Sequence, residues 1–138
     1  MLMIKIAIIE DDQTIAQMYR MKFESEGFAV DMAANGRSGV DMVTAAMPDA
    51  ILLDLQMPEM NGAEALKRIR ELPNGHDIPV IILTNLGQEE APRNLDKLGV
   101  DSYIVKADLT PRQVVHQVKK ILGLDETGET TDQQQPSP

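Results

Sequence analysis

The sequence predicts an α/β fold, a doubly wound five-stranded parallel sheet with helices on both faces. Five short aliphatic or β-branched runs recur along the chain, and longer segments with the period of amphipathic helices separate them. Strands that alternate with helices indicate repeated βαβ units, whose crossovers cover both faces of a sheet. The runs AILL and VIIL are apolar at every position, which is typical of strands buried on both sides.

The predicted strands and the helix boundaries between them follow each other in order. The strand segments are MIKIAII, FAVDMA, AILLDL, PVIILT and DSYIVK. Gly27 and Gly99 lie where helices should stop, because glycine readily adopts the left-handed conformation that ends a helix. Asn61 is predicted to cap the N-terminus of a helix that has Glu64 at its third position.

The last two helices carry proline signals. Pro92 would break a helix begun many residues earlier, so we expect a short fourth helix that starts near Glu90. Thr110, followed by Pro111 and Gln113, has the pattern of a capping box with proline at the first helical position. The last helix should therefore begin at Pro111.

The chain has the size of one ordinary domain, which we place at residues 1–123. Residues 124–138, LDETGETTDQQQPSP, contain four acids, no base and no apolar period, and are predicted to be a disordered tail. The formal net charge of −9 argues against nucleic acid as a direct ligand, because binding phosphates requires clustered lysine and arginine.

The sequence has neither the pattern of a signal peptide near its start nor a membrane-spanning segment along its length. The first acid, Glu10, comes too early for a signal peptide, and no apolar segment approaches membrane-spanning length. The absence of cysteine excludes disulfides and thiolate metal sites. We expect a cytoplasmic protein that does not insert into a membrane.

Polar residues follow four of the predicted strands. Glu10 and Asp11 follow the first, Asp54 ends the third, Thr84 follows the fourth and Lys106 follows the fifth. Ligands of open parallel sheets bind beyond the carboxyl ends of the strands, where the winding reverses. With the strand order 2-1-3-4-5, these side chains would meet at one edge of the sheet.

This group of residues favours phosphoryl chemistry with a divalent cation. Three close carboxylates repel each other, and Mg²⁺ is a hard cation that commonly joins one or two carboxylates to a phosphate. Lys106 and Thr84 could hold phosphoryl oxygens, the first by its charge and the second as a hydrogen-bond donor. Aspartate carboxylates form acyl phosphates, so Asp54 is the candidate nucleophile.

The motifs IIEDD, LLDLQMPEMNG, VIILTN and DSYIVKAD stand in the order and spacing of a known family. Residues 4–122 resemble the receiver domains of two-component response regulators. The resemblance implies a flavodoxin-like fold in which a phosphoryl group moves from a phosphohistidine to an aspartate. By position, Asp54 is the phosphoacceptor, Asp11 binds Mg²⁺ directly, Glu10 binds it through water, and the backbone carbonyl of Gln56 completes the metal shell.

The resemblance also assigns roles at the fourth and fifth strands. Thr84 and Lys106 should contact the phosphoryl oxygens, and Tyr103 matches the aromatic residue that changes rotamer on activation. The family usually has a cis proline after the lysine, but Ala107 stands here. A cis bond before a non-proline residue costs about 2.5 to 4 kcal/mol. We therefore expect a trans Lys106–Ala107 bond with a rearranged loop, or a strained cis bond.

The resemblance implies a stand-alone receiver that catalyses only its own phosphotransfer and dephosphorylation. Its expected partners are a sensor histidine kinase or a histidine phosphotransfer protein, and a downstream protein target. Thr84 would move inward on phosphorylation, Tyr103 would follow, and the segment from Leu86 to Ala91 would be the mobile element.

Two alternatives stay open: a relay that passes the phosphoryl group to another histidine, and a binding module that is never phosphorylated. An aspartyl phosphatase, or a metal-dependent nucleic-acid enzyme of similar topology, would need an acid where Gln56 stands. The glycine-rich loops of nucleotide-binding sites are absent from the sequence.

Overall fold

A computed structural model describes residues 3–124 of the chain. These residues form one five-stranded parallel sheet with the order β2-β1-β3-β4-β5. The strands are β1 (Lys5–Ile9), β2 (Ala29–Ala33), β3 (Ala50–Leu53), β4 (Val80–Thr84) and β5 (Ser102–Val105). The predicted fold class and strand order are confirmed.

Five α-helices connect or follow these strands within residues 3–124. They are α1 (Gln13–Ser25), α2 (Gly36–Ala46), α3 (Gly62–Arg70), α4 (Leu95–Leu98) and α5 (Pro111–Ile121). Two short 3₁₀ turns lie at Gln88–Glu90 and Lys106–Asp108. None of the helices in this described range has the length and apolar character needed to cross a membrane.

The helix boundary signals at Asn61, Thr110 and Gly99 are confirmed. The Asn61 side chain accepts a hydrogen bond from the Glu64 amide at the start of α3. Thr110 and Gln113 form the reciprocal capping box of α5. Gly99 ends α4 with φ +79°, a left-handed conformation that glycine adopts without a steric penalty.

The core has two layers, one on each face of the sheet. Alternate residues of a strand point to opposite faces, so Ile8 packs with α1 and α5, whereas its neighbour Ile9 packs with α2 and α3. Both layers are dominated by aliphatic side chains that are almost fully buried. The helices on both faces hold the carboxyl ends of β1, β3 and β4 at one edge, where the candidate site lies.

Two predicted boundaries differ from the structure. Helix α4 begins at Leu95 rather than near Glu90, because the chain before Pro92 forms only a 3₁₀ turn and Leu95 is the first residue of the helix to enter the core. Leu124, predicted to begin the tail, is buried in the layer formed with α1 and α5. The rest of the predicted tail, residues 125–138, lies outside the described residues.

Candidate functional site

The predicted phosphoacceptor, Asp54, directly follows β3 and is 5% exposed. Its amide donates to the carbonyl of Ile9, so pairing with β1 fixes its backbone. The Gln56 amide donates to Asp54 Oδ1 at 3.2 Å, which orients the carboxylate. Hydrogen bonding thus holds Asp54 at the edge of the sheet where β1 and β3 end.

The loop after Asp54 folds back against it. A Cβ atom on Gly62 would lie 2.1 Å from the Asp54 carbonyl oxygen, closer than any real contact. The Gly62 amide donates to the carbonyl of Leu55. The loop therefore requires glycine at the first position of α3, a requirement that sequence reasoning did not identify; a glycine immediately after the N-cap Asn61 was the available signal.

The two acids after β1 differ in exposure. Glu10 is 4% exposed, and its amide donates to the carbonyl of Ala33. Asp11 is exposed. Asp12 caps α1 by accepting from the Ile15 amide, and its own amide donates to Glu10 Oε2. In this acidic run Asp12 caps the helix, whereas Glu10 and Asp11 belong to the candidate site.

One carboxylate oxygen from each of Glu10, Asp11 and Asp54 lies within 4.8 Å of the other two. Oxygen donors at this spacing fit the preference of Mg²⁺, which binds through one or two carboxylates and keeps several waters. The exposed Asp11 faces solvent, where such waters could be retained. The predicted part of the Gln56 carbonyl in this shell stays a prediction.

Lys106 connects the acids to the fifth strand. The Lys106–Ala107 bond is trans, and residues Lys106–Asp108 form a 3₁₀ turn, which matches the expected trans bond with a rearranged loop. Lys106 Nζ lies 2.5 Å from Glu10 Oε1 and 3.2 Å from Asp54 Oδ2. Ala107 stands where the family usually has proline, and the Lys106 ammonium group still lies within contact distance of Asp54.

The electrostatics of this cluster follow from burial and proximity. Burial raises the pKa of Glu10, and the hydrogen bond from Lys106 only partly opposes that effect. Burial alone would lower the pKa of Lys106, but its hydrogen bond to Glu10 and the negative charge of Asp54 outweigh burial, so the pKa is raised. Lys106 therefore stays protonated at neutral pH and partly compensates the neighbouring acids.

Thr84 and Tyr103 are joined through one residue, Leu86. Thr84 is fully buried, and its Oγ1 accepts from the Leu86 amide at 3.4 Å, a long and weak hydrogen bond. The Tyr103 hydroxyl donates to the Leu86 carbonyl at 2.9 Å and lies 3.3 Å from the carbonyl of Gly87. Leu86 is the start of the expected mobile segment, but the sequence did not predict that Leu86 links these two side chains.

Tyr19 is a second residue near the site that the sequence did not identify. It is 3% exposed and lines a small cavity with Glu10 and Asp54. Burial raises the pKa of its hydroxyl, and the nearby charge of Lys106 lowers it in part. Tyr19 occupies an apolar position in the pattern of α1, so no sequence signal separated it from an ordinary core residue.

The chain matches the response regulator receiver domain family over residues 6–119, and it therefore belongs to that family. Phosphorylation-dependent signalling in two-component systems is the general function of the family. The family match includes every site residue described above.

Curated relatives include two transcriptional regulators. The phosphate regulon protein PhoB of Rhizobium meliloti is 35% identical over 119 residues, which cover 86% of this chain and 52% of the relative. ResD of Bacillus subtilis is 39% identical over 118 residues, which cover 86% of this chain and 48% of the relative. The chain thus spans about half the length of these relatives.

Solved structures share the fold. A putative response regulator from Chloroflexus aurantiacus is 29% identical with a TM-score of 0.80, covering 88% of this chain and 99% of that one. The receiver domain of the sensor histidine kinase PA1611 from Pseudomonas aeruginosa, solved with magnesium in its active site cleft, has a TM-score of 0.80. It is 24% identical and covers 88% of this chain and 99% of its own, so this likeness concerns the fold alone.

Proposed function

We propose that the chain is a phosphorylation switch in which Asp54 accepts a phosphoryl group from a phosphohistidine. The observation that carries this proposal is the placement of Asp54: it is buried, fixed by β1, and surrounded by Glu10, Asp11 and Lys106 at the edge of the sheet. A carboxylate in such a setting can act as a nucleophile once the negative charge around it is balanced.

In the proposed transfer, an Asp54 carboxylate oxygen forms a bond to phosphorus while the bond from phosphorus to the imidazole nitrogen breaks. The electron pair stays on that nitrogen, which takes a proton, and Asp54 becomes an acyl phosphate. Lys106 Nζ lies 3.2 Å from Asp54 Oδ2, so after the transfer it could donate a hydrogen bond to a phosphoryl oxygen instead. Hydrolysis of the acyl phosphate returns the carboxylate, so the chain would catalyse only its own phosphorylation and dephosphorylation.

Mg²⁺ is the proposed cofactor, held by Asp11 and Asp54 and, through water, by Glu10. When bound it would neutralise charge between the carboxylates and the phosphoryl oxygens. The three oxygen donors within 4.8 Å of one another support this assignment. A magnesium ion in the cleft of the PA1611 receiver domain, which has the same fold, agrees with it.

The signal would leave the site through Thr84, Leu86 and Tyr103. Because the Thr84 hydroxyl only accepts a 3.4 Å hydrogen bond from Leu86, its proton is available for a phosphoryl oxygen. Movement of Thr84 toward that oxygen would release the Leu86 amide, and the hydrogen bond from Tyr103 to the Leu86 carbonyl would transmit the change. The surface formed by α4, β5 and α5 would then alter its preference for a downstream protein.

The proposed donors are a sensor histidine kinase or a histidine phosphotransfer protein. Two other functions remain as outcomes of experiment: onward transfer to a further histidine, and binding without phosphorylation. The contact of Lys106 with Asp54, and the place of Thr84 at the end of the strand that pairs with β3, favour the phosphorylated switch over the second of these.

Intact mass spectrometry tests the proposal directly. The protein is incubated with a small phosphodonor and MgCl₂, beside a chelator control and the Asp54→Asn variant. We expect one phosphoryl increment that requires both the metal and Asp54. Asp49→Asn is the matched control, because Asp49 lies at the opposite end of β3, where it accepts from the Lys5 amide. No increment in the unaltered protein would favour the binding module.

A further inference from the structure

A basic cleft separates α1 from α5, away from the phosphorylation site. It has a volume of about 240 Å³ and is lined by Lys22, Glu26, Arg112, Val115, His116 and Lys119. Three of these side chains are cations and one is a carboxylate, whereas the whole chain carries a net charge of −9. The cleft is therefore a local positive region on an acidic protein, suited to an anionic ligand.

Lys119 gives the cleft a buried cation. It is 5% exposed, and its Nζ donates to Glu26 Oε1 at 2.8 Å. Lys22 Nζ lies 3.5 Å from the other Glu26 oxygen, so one carboxylate is shared by two ammonium groups. Arg112, on the exposed side of α5, adds a further positive charge at the rim.

The end of α5 places Leu124, the last described residue, against the backbone of the cleft residue Lys119. The Gly123 amide donates to the Lys120 carbonyl and the Leu124 amide to the Lys119 carbonyl, the pair of bonds that defines a Schellman motif. Gly123 has φ +71°, which reverses the chain, and Leu124 packs into the core. Residue 125 therefore follows a residue that is bonded to the backbone of Lys119.

The sequence after Leu124 has the complementary charge. Its next eight residues, DETGETTD, contain four acids and no base. An extended segment of eight residues reaches about 26 Å, while the seven helical steps from Arg112 to Lys119 rise only about 10 Å. The acids can thus reach every cation of the cleft.

We propose that the acidic segment 125–132 binds in the cleft between α1 and α5 of its own chain. Because the segment is tethered at Leu124, its effective concentration at the cleft is on the order of mM, so even a weak electrostatic contact is populated. An adjacent apolar groove lined by Met18, Met21 and Pro111 shares Lys22 with the cleft. The bound segment would therefore cover the edge of the α1 surface and compete with other anionic molecules for it.

Amide chemical shifts of the full chain test this proposal. Glu129→Gln/Asp132→Asn removes two segment charges distant in sequence from the cleft, and Asp41→Asn/Glu71→Gln removes two exposed charges from α2 and the end of α3. We expect the first variant, and not the second, to shift the amides of Lys22, Arg112 and His116. About 1 M NaCl, which shortens the screening length to about 3 Å, should move these amides of the unaltered protein in the same direction.

Reciprocal substitution completes the test. Lys22→Gln/Arg112→Gln should shift the amides of residues 129 and 132, by an amount that does not depend on protein concentration. The proposal would be overturned if Glu129→Gln/Asp132→Asn left the cleft amides unchanged. It would also be overturned if Asp41→Asn/Glu71→Gln shifted them equally. Shifts that grow with protein concentration would also overturn it, because they would show that the cleft binds the segment of a second copy.

Discussion

Lys106 Nζ donates to Glu10 Oε1 across 2.5 Å, and the two side chains are 10% and 5% exposed. The contact joins the residue after β1 to the residue after β5, the last strand of the sheet. It places a permanent cation beside two buried acids whose mutual repulsion would otherwise be uncompensated. The stability of the site and its chemistry should therefore both depend on this ion pair.

Replacing Lys106 with glutamine should destabilise the fold at neutral pH. Glu10 and Asp54 would lose their buried cation, at a cost of about 1 to 3 kcal/mol. The pKa of Glu10 is already raised, so protonation of Glu10 at lower pH should relieve part of the loss. Urea unfolding at pH 5 and pH 8 measures this, with the exposed Lys97→Gln as control. A loss that is equal at both pH values would contradict the expected coupling.

MgCl₂ should partly restore the stability of Lys106→Gln, because a divalent cation can replace the missing charge. The stabilisation by MgCl₂ should be larger in this variant than in Lys97→Gln. Equal stabilisation of both proteins would indicate that the lysine and the metal act at separate places.

Tyr103→Phe should loosen the segment after β4 while leaving the core intact. The variant keeps the aromatic ring and loses the hydroxyl that donates to the carbonyl of Leu86. Amides of residues 86–91 should exchange with deuterium faster, with a loss of local stability of about 1 kcal/mol. Tyr19→Phe is the matched control, since Tyr19 packs on the other face of the sheet. Unchanged exchange would refute the link through Leu86.

The proposed path of the signal from Thr84 through Leu86 to Tyr103 makes a second prediction for Tyr103→Phe. If Leu86 carries the signal, phosphorylation should change exchange at α4 and β5 less in this variant than in the unaltered protein. An undiminished response would show that the hydroxyl has no part in the route.

Gly62→Ala should disrupt the loop beside Asp54. The added Cβ would lie 2.1 Å from the carbonyl oxygen of Asp54, and this backbone cannot move aside without displacing the carboxylate. We expect a loss of about 1 to 3 kcal/mol in unfolding free energy and slower phosphorylation. Gly87→Ala is the control, because its Cβ would meet only flexible glutamate side chains. Comparable losses in both variants would argue against a special packing requirement at Gly62.

Arg70→Lys should detach α4 from the rest of the domain. The guanidinium donates to four backbone carbonyls, those of Gly75, Ile78, Leu98 and Gly99. A single ammonium group cannot reproduce this planar fork. We expect a loss of about 2 kcal/mol in unfolding free energy and faster hydrogen exchange at residues 95–100. The exposed Arg68→Lys should change neither quantity.

Glu26→Gln should change the dependence of stability on acid pH. The hydrogen bond from Lys119 lowers the pKa of Glu26, so the ionised carboxylate stabilises the fold above its ordinary pKa near 4.5. That contribution is lost as the pH falls through the lowered pKa of the folded state. The variant should lose about 1 kcal/mol at pH 7 and much less at pH 3, measured by thermal unfolding. A loss of the same size at both pH values would exclude the ion pair as its source.

The strands and most helix boundaries could be predicted from the sequence because their causes are local. The apolar runs at β3 and β4 identify buried strands without reference to any distant residue. Asn61 and Thr110 cap helices with their own side chains. Helix α4 was misplaced because its limits depend on burial of Leu95 and on Arg70, which binds the carbonyls at the end of the helix.

The sequence by itself determined which residues follow each strand, and therefore which carboxylates, hydroxyl and ammonium share one edge of the sheet. It also identified the family through the motifs that contain them. Only the tertiary structure decided that Lys106 contacts Glu10 as well as Asp54, that Leu86 joins Thr84 to Tyr103, and that Gly62 packs on Asp54. The physical reason is that periodicity fixes the direction of a side chain along its own strand, whereas distances between residues far apart in the chain depend on how the whole sheet and its loops pack.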